Sequence, residues 1–165
     1  WIIPTTKSQY SNILSKVNKI KIQSIDVIVL EDNYKVIQSA DIAIACSGTV
    51  TLELVLFKIP TIAVYKTDFL SAFIGRIMVN FKNVILPNFL LKKDVVPFLF
   101  QEKCNYKEMQ KKLNSYIKNL DIINKNFEKY SKNILRNMSY INSKSNNFTT
   151  NSGKMITKLI NDFKS

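Results

Sequence analysis

Near the start of the chain Tyr10, Ile13, Leu14 and Val17 recur three and four apart among polar neighbours. That spacing predicts an amphipathic helix from Thr6 to Ile20, opened by a Thr/Ser cap. Short apolar runs follow at Asp26 to Leu30, Asp41 to Cys46, Thr61 to Tyr65 and Asn83 to Leu86. Each is too short for a helix and rich in β-branched residues, so each is predicted to be a strand buried on both faces. Trp1-Ile2-Ile3-Pro4 reads as the end of a further, interrupted strand. Helical patterns lie between the runs, at Asn33 to Gln38, Thr49 to Phe57 and Asp68 to Val79. Strands alternating with helices predict βαβ units and a Rossmann-like parallel sheet with flanking helices, an α/β fold.

After Pro87 the period is helical throughout: over Asp94 to Cys104, then from Lys107 to roughly Ser143 with a weak break near Asp121. A Ser/Asn-rich stretch, Asn142 to Ser152, separates a last predicted helix, Lys154 to Phe163. The chain therefore divides into an α/β part, residues 1–104, and a helical carboxyl-terminal extension, residues 105–165. Tyr106, Met109, Leu113, Tyr116, Ile117, Leu120 and Ile123 form an apolar stripe along the extension. One small sheet offers it little partner surface, so part of the stripe is expected to meet another domain or a second copy of the chain.

Composition narrows the chemistry. The 165 residues are 46% apolar and 22% charged with three Gly and four Pro, the profile of a folding chain. With no His, Ser-His and Cys-His pairs, His-ligated zinc and imidazole acid–base catalysis are excluded. Two cysteines, Cys46 and Cys104, are too few for a four-thiolate site, so no structural metal is expected; no cofactor is expected either. The net charge is +12 and uneven: residues 1–102 hold 11 basic and 8 acidic side chains, residues 103–165 hold 13 and 4. This Lys-rich, Arg-poor bias reads first as compositional background and second as a surface for polyanions or anionic membrane. RNA-binding folds offer exposed aromatics on a sheet, whereas this sheet is expected to be covered on both faces, so nucleic acid is not expected as a partner. No apolar run approaches the ~20 residues of a membrane span, and no signal-like start is present, so a cytoplasmic location is expected. Trp1 in place of Met points to a piece of a longer protein.

Ser47-Gly48-Thr49-Val50-Thr51-Leu52-Glu53 carries the most information, because it leaves a predicted strand and opens a helix. Small residues there let a ligand approach the backbone, and the free amides of a first helical turn suit a phosphate. On turn chemistry alone the same stretch is an ordinary strand-to-helix turn with Ser47 or Thr49 as N-cap, and both readings stand. Neither a Walker loop nor a G-x-G-x-x-G fingerprint is present. Glu53, among Leu52, Leu54, Val55, Leu56 and Phe57, either turns to solvent or serves a partner such as a pair of ribose hydroxyls. Ser47 lacks a base and is not read as a nucleophile.

Four segments together resemble the carboxyl-terminal half of bacterial lipid-A-disaccharide synthase. They are Ala40-Asp41 with Ala45-Cys46-Ser47-Gly48-Thr49-x-x-Leu52-Glu53, then Pro60-Thr61 with Val64-Tyr65-Lys66, then Leu86-Pro87-Asn88, then Val96-Pro97 with Gln101-Glu102-Lys103-Cys104. The resemblance covers roughly residues 1–140. It implies the nucleotide-sugar half of a GT-B glycosyltransferase, a hexosyltransferase with UDP-2,3-diacylglucosamine as donor and 2,3-diacylglucosamine 1-phosphate as acceptor. It also implies Ser47, Gly48 and Thr49 at the donor diphosphate, Glu53 at the ribose, and Tyr65, Lys66, Asn88 and Gln101 along the donor side of the cleft. Phe98 stands where the family often has an acidic residue, which bears on Gln101. The family's acceptor half and its proposed base are not among these residues, so no catalytic residue is assigned and the chain alone is expected to be inactive. Peripheral association with the cytoplasmic face of the inner membrane, and a dimer, are further expectations. The contrasting reading is a basic, non-enzymatic module that binds anionic membrane or nucleic acid through residues 103–165.

Overall fold

In the computed structural model, residues 1–20, 24–29, 37–67 and 85–144 are described. They belong to two compact units, Trp1–Asp41 and Ile42–Ser165. In the first unit, β1 (Ile2–Thr5) pairs in parallel with β2 (Asp26–Val29), Ile2 opposite Asp26 and Thr5 opposite Val29. Pro4 cannot donate to a ladder and suits this two-stranded sheet, where among the described residues one side of each strand carries no partner strand. Helix α1 (Lys7–Ile20) connects the two strands and buries Val17, matching the predicted helix to within one residue.

The second unit is built on a parallel sheet ordered β3 (Ala43–Cys46), β4 (Thr61–Tyr65) and β5 (Phe98–Phe100). The registers are Ala43 to Thr61 and Cys46 to Val64 on one side of β4, and Ala63 to Phe98 and Tyr65 to Phe100 on the other. Between β3 and β4 runs α2 (Thr49–Leu56), buried along Thr51, Leu52, Leu54, Val55 and Leu56. Lys58 ends it at φ +65°, with Ile59 N–H donating to the Leu54 carbonyl and Lys58 N–H to that of Val55. This is a Schellman closure made without glycine, and Leu54 and Ile59, the two positions that accompany it with apolar side chains, are both buried. Helix α3 (Leu86–Leu91) starts with Pro87 in its first turn, where a missing N–H costs nothing.

The α/β class holds, and three details differ from the pattern-based reading. Asp94 to Cys104 is not a helix: it holds β5 and a 3₁₀ turn over Gln101–Lys103. Pro97 biases Val96 toward extended backbone, and its carbonyl accepts from Ala63 N–H at 2.9 Å, so the chain enters the ladder instead. Leu86 belongs to α3, and Ile85, predicted in the same strand, is only its extended N-cap. Among the described strands, consecutive residues are buried only at the start of β4, over Thr61, Ile62 and Ala63, whereas β2 and β3 are partly exposed along their length. Asn33 to Val36 of one predicted helix, the Asp68 to Val79 helix, Asn83 and Val84, and the Lys154 to Phe163 helix lie outside the described residues.

The extension forms α4 (Tyr106–Lys118), capped by Asn105, which accepts from Glu108 N–H at 3.0 Å, and α5 (Leu120–Lys144). The break falls at Asn119, two residues before Asp121. Much of the apolar stripe packs within the unit. Tyr116, Phe127 and Ile134 are in the core with Leu56, Ile62 and Val96, and Met109, Leu113 and Ile123 lie against them. One hydrogen bond ties these helices to the end of α2 and another to the sheet: Ser131 Oγ donates to the Leu56 carbonyl at 2.9 Å, and Tyr116 Oη to the Thr61 carbonyl at 3.4 Å. Ile117, at 57% exposure, and Tyr106 stay outside. Phe127→Ala should therefore lower unfolding free energy by about 3–5 kcal/mol, as read by urea titration. Ile117→Ala should stay within about 0.5 kcal/mol.

Candidate functional site at the carboxyl edge of the sheet

Because β3, β4 and β5 run parallel, their carboxyl ends share one edge, where open α/β sheets present ligands. Ser47 stays on the ladder, its N–H donating to the Val64 carbonyl at 3.0 Å. At Gly48 the chain turns away with φ +151° and ψ −163°, a conformation open to glycine and strained for L residues. Among the described residues a Cβ at Gly48 would meet no atom within 4 Å, so none of them crowds the backbone there. Gly48 is itself the N-cap of α2 and no side chain caps the helix, so neither Ser47 nor Thr49 takes the capping role. Thr51 Oγ1 instead donates to the Gly48 carbonyl at 2.7 Å, fixing the turn from behind. The first-turn amides at Thr49 and Val50 have no intrahelical acceptor by helix geometry.

Glu53 lies one turn after exposed Thr49 on the same side of α2 and is half-buried. Its carboxylate meets no hydrogen-bond or ion-pair partner among the described residues, and burial raises its pKa above the ordinary glutamate value. At the end of β4, Tyr65 is 42% exposed and its ring lies parallel to Phe100, 6.2 Å between centroids and 3° between planes. Exposed Lys66 follows. Gln101, just past β5, has φ +47° and reaches across to Thr67: Oε1 accepts from the Thr67 N–H at 2.8 Å, and Nε2 donates to its carbonyl at 2.9 Å.

The edge thus unites Ser47, Gly48, Thr49, Tyr65, Lys66 and Gln101, with Glu53 one helical turn behind it. It does not gather Asn88. That side chain is buried, accepts from Val95 and Val96 N–H at 3.0 and 2.8 Å, and donates to the Val96 carbonyl at 2.9 Å. Val96 precedes β5, so Asn88 fastens the opposite end of the sheet. A depression of about 510 Å³ on that side is lined by Asn88, Asp94, Lys103, Lys111 and Lys112 among others, and by none of Ser47, Glu53, Tyr65 or Lys66. Two partners escaped the sequence reading, Phe100 beneath Tyr65 and the Thr67 backbone. The alternation Phe98-Leu99-Phe100 after a proline was the signal for the first; nothing in the sequence marked the second. Among the described residues no group of three Asp, Glu, Cys or His side chains could hold a metal ion, and no helix is long and apolar enough to cross a membrane.

A Rossmann-like α/β unit with a glycine-opened helix start at its carboxyl edge defines the class. The sequence pattern of lipid-A-disaccharide synthetase matches residues 1–151, and the chain belongs to that family. It is 38% identical over 105 residues to a lipid-A-disaccharide synthase of Francisella philomiragia, covering 62% of this chain and 27% of that protein. To the lipid-A-disaccharide synthase of Francisella tularensis subsp. novicida it is 33% identical over 140 residues, covering 81% of this chain and 36% of that protein. The chain spans about a third of the length of these relatives.

Two outcomes follow from the backbone and the carboxylate. Gly48→Ala should lower stability by about 1–3 kcal/mol through φ alone, measured by urea unfolding, since space for the methyl is available. For Glu53, the raised folded-state pKa means that the folded chain holds its proton more tightly than the unfolded one, so stability is lost as pH rises through the carboxylate range. Glu53→Gln should unfold at higher urea than the parent chain at about pH 7, and the difference should vanish at about pH 3.5, below the unfolded glutamate value.

Proposed function

We propose that this chain is the donor-binding half of a lipid-A-disaccharide synthase. The reaction transfers 2,3-diacylglucosamine from UDP to 2,3-diacylglucosamine 1-phosphate. The observation that carries the reading is the glycine-opened start of α2 beside Lys66, with an unpartnered, half-buried carboxylate one turn behind. In this reading the amides after Gly48, with Ser47, Thr49 and Lys66, hold the donor diphosphate and stabilise it as it leaves with the electron pair of the sugar–oxygen bond. Glu53 accepts hydrogen bonds from the two ribose hydroxyls, which a neutral or solvent-facing residue could not do as strongly. Tyr65 and Gln101 frame the donor side, Asn88 supports the scaffold, and residues 105–165 form an extension to the nucleotide-sugar part, residues 1–104. The acceptor hydroxyl attacks the anomeric carbon and gives its proton to a base supplied by an acceptor-binding half. The lipid substrates imply work at the cytoplasmic face of the bacterial inner membrane, and the chain by itself should form no disaccharide.

Calorimetric titration with UDP tests the reading. Saturable binding is expected, and Glu53→Ala should weaken it roughly 10- to 100-fold, the equivalent of about 1.5–3 kcal/mol for hydrogen bonds to a charged group. The melting temperature should not fall, because the lost carboxylate has no partner among the described residues. A variant that binds UDP normally and melts early would make Glu53 a packing residue instead.

A further inference from the structure

Gln101 combines two features that rarely meet. It is a non-glycine residue in the left-handed region, at φ +47°, and both ends of its side-chain amide are engaged by the backbone of one residue, the N–H and the carbonyl of Thr67. The ladder explains the geometry. Tyr65 pairs with Phe100 as the last residues of β4 and β5, and the chain then leaves the sheet in the 3₁₀ turn Gln101–Lys103. A continued strand would have offered the residues after Tyr65 a peptide to pair with. In its place the Gln101 carboxamide, which has the donor and acceptor of a peptide, closes onto Thr67 across 34 positions of sequence. A left-handed residue is costly for any side chain other than glycine, and such strain persists where neighbouring interactions hold it.

We infer that Gln101 is a positioning residue: by pairing with Thr67 it fixes the short segment after β4, and so sets where Tyr65 and Lys66 stand at the carboxyl edge. This rests on the donor-site reading for its consequence, since Lys66 is the cation that segment brings to the diphosphate. Gln101 then acts on the nucleotide through Lys66 and not by its own contact. Thr67 is pinned at its N–H and its carbonyl, Tyr65 is pinned by its ladder to Phe100 and the parallel ring stack, and Lys66 is held between two fixed residues.

Two measurements on the full chain test this. The first is hydrogen exchange at the Thr67 amide, which needs no ligand. Gln101→Ala should speed it at least about 10-fold while the Ile62 and Ala63 amides keep their protection, the pattern of a local opening. Unchanged exchange at Thr67 would overturn the proposal, and equal loss of protection in β4 would reduce Gln101 to a general stability residue. The second is a double-mutant cycle on UDP affinity with Gln101→Ala and Lys66→Ala. If Gln101 works through Lys66, its substitution should weaken binding about 10-fold in the parent chain and less than about 2-fold once Lys66 is removed. Losses that multiply independently would mean that Gln101 touches the nucleotide itself, and would overturn the positioning role. If the parent chain binds no UDP, the donor-site reading fails, while the Thr67 exchange still decides whether the clamp exists.

Discussion

Strand β4 gives up its surface almost completely at its start: Thr61, Ile62 and Ala63 are each at 0% exposure. A parallel strand in that position must find ladder partners on both sides and apolar cover over its face, because water reaches neither its peptides nor its side chains. β3 and β5 supply the first requirement. Helices α2, α3 and α5 supply cover, with Leu52, Val55, Leu56, Phe127 and Ile134 converging on Ile62 and Ala63 in one cluster. Burying each large side chain contributes about 1.5–3 kcal/mol. Even the polar groups obey this demand, since Thr61 Oγ1 turns back to the Ile59 carbonyl at 2.8 Å and Tyr116 reaches the Thr61 carbonyl.

Placing β4 between two parallel neighbours has a geometric result. Three strands that enter from one side must leave on the other, so Ser47, Lys66 and Gln101 arrive together although 54 positions of sequence separate the first from the last. The edge they form tolerates features that the core does not: an exposed lysine, a half-buried carboxylate without a partner among the described residues, and two residues with positive φ, Gly48 and Gln101. An uncompensated charge and a strained backbone are both tolerated here because the edge lies outside the packed layer, where solvent reaches them.

The strands at 26–29, 43–46 and 61–65 and the helix from Thr49 were legible because their apolar runs are bounded by turn residues and set by local periodicity. Asp94 to Cys104 was misread because Val95, Val96, Phe98, Leu99 and Phe100 satisfy a helical and an extended pattern alike, and Pro97 was the deciding residue. The carboxylate and glycine of the site were visible as residue types in a joint. What could not be read was Asn88, whose amide a sequence offers equally to a ligand or to the 95–96 backbone, and the Gln101 to Thr67 pairing, which exists only once β4 and β5 lie side by side. Nor could spacing reveal that the stripe of α4 and α5 would be accepted by α2 and α3, because partner surface is a property of the assembled layer.

The bond from Ser131 to the Leu56 carbonyl spans 75 positions of sequence, and it bears on how the nascent chain matures. At roughly 5–20 residues per second, the ribosome delivers Ser131 about 4–15 s after Leu56. During that interval α2 ends on a carbonyl with no hydroxyl to meet it, and Leu56 and Ile62 lack the Phe127 and Ile134 side chains that complete their cluster. The βαβ segment from Ile42 can form early, yet it waits with an uncovered apolar face until the long helix emerges. Synthesis therefore passes through a stage at which this face is open to non-native contacts, and that stage ends when α5 docks.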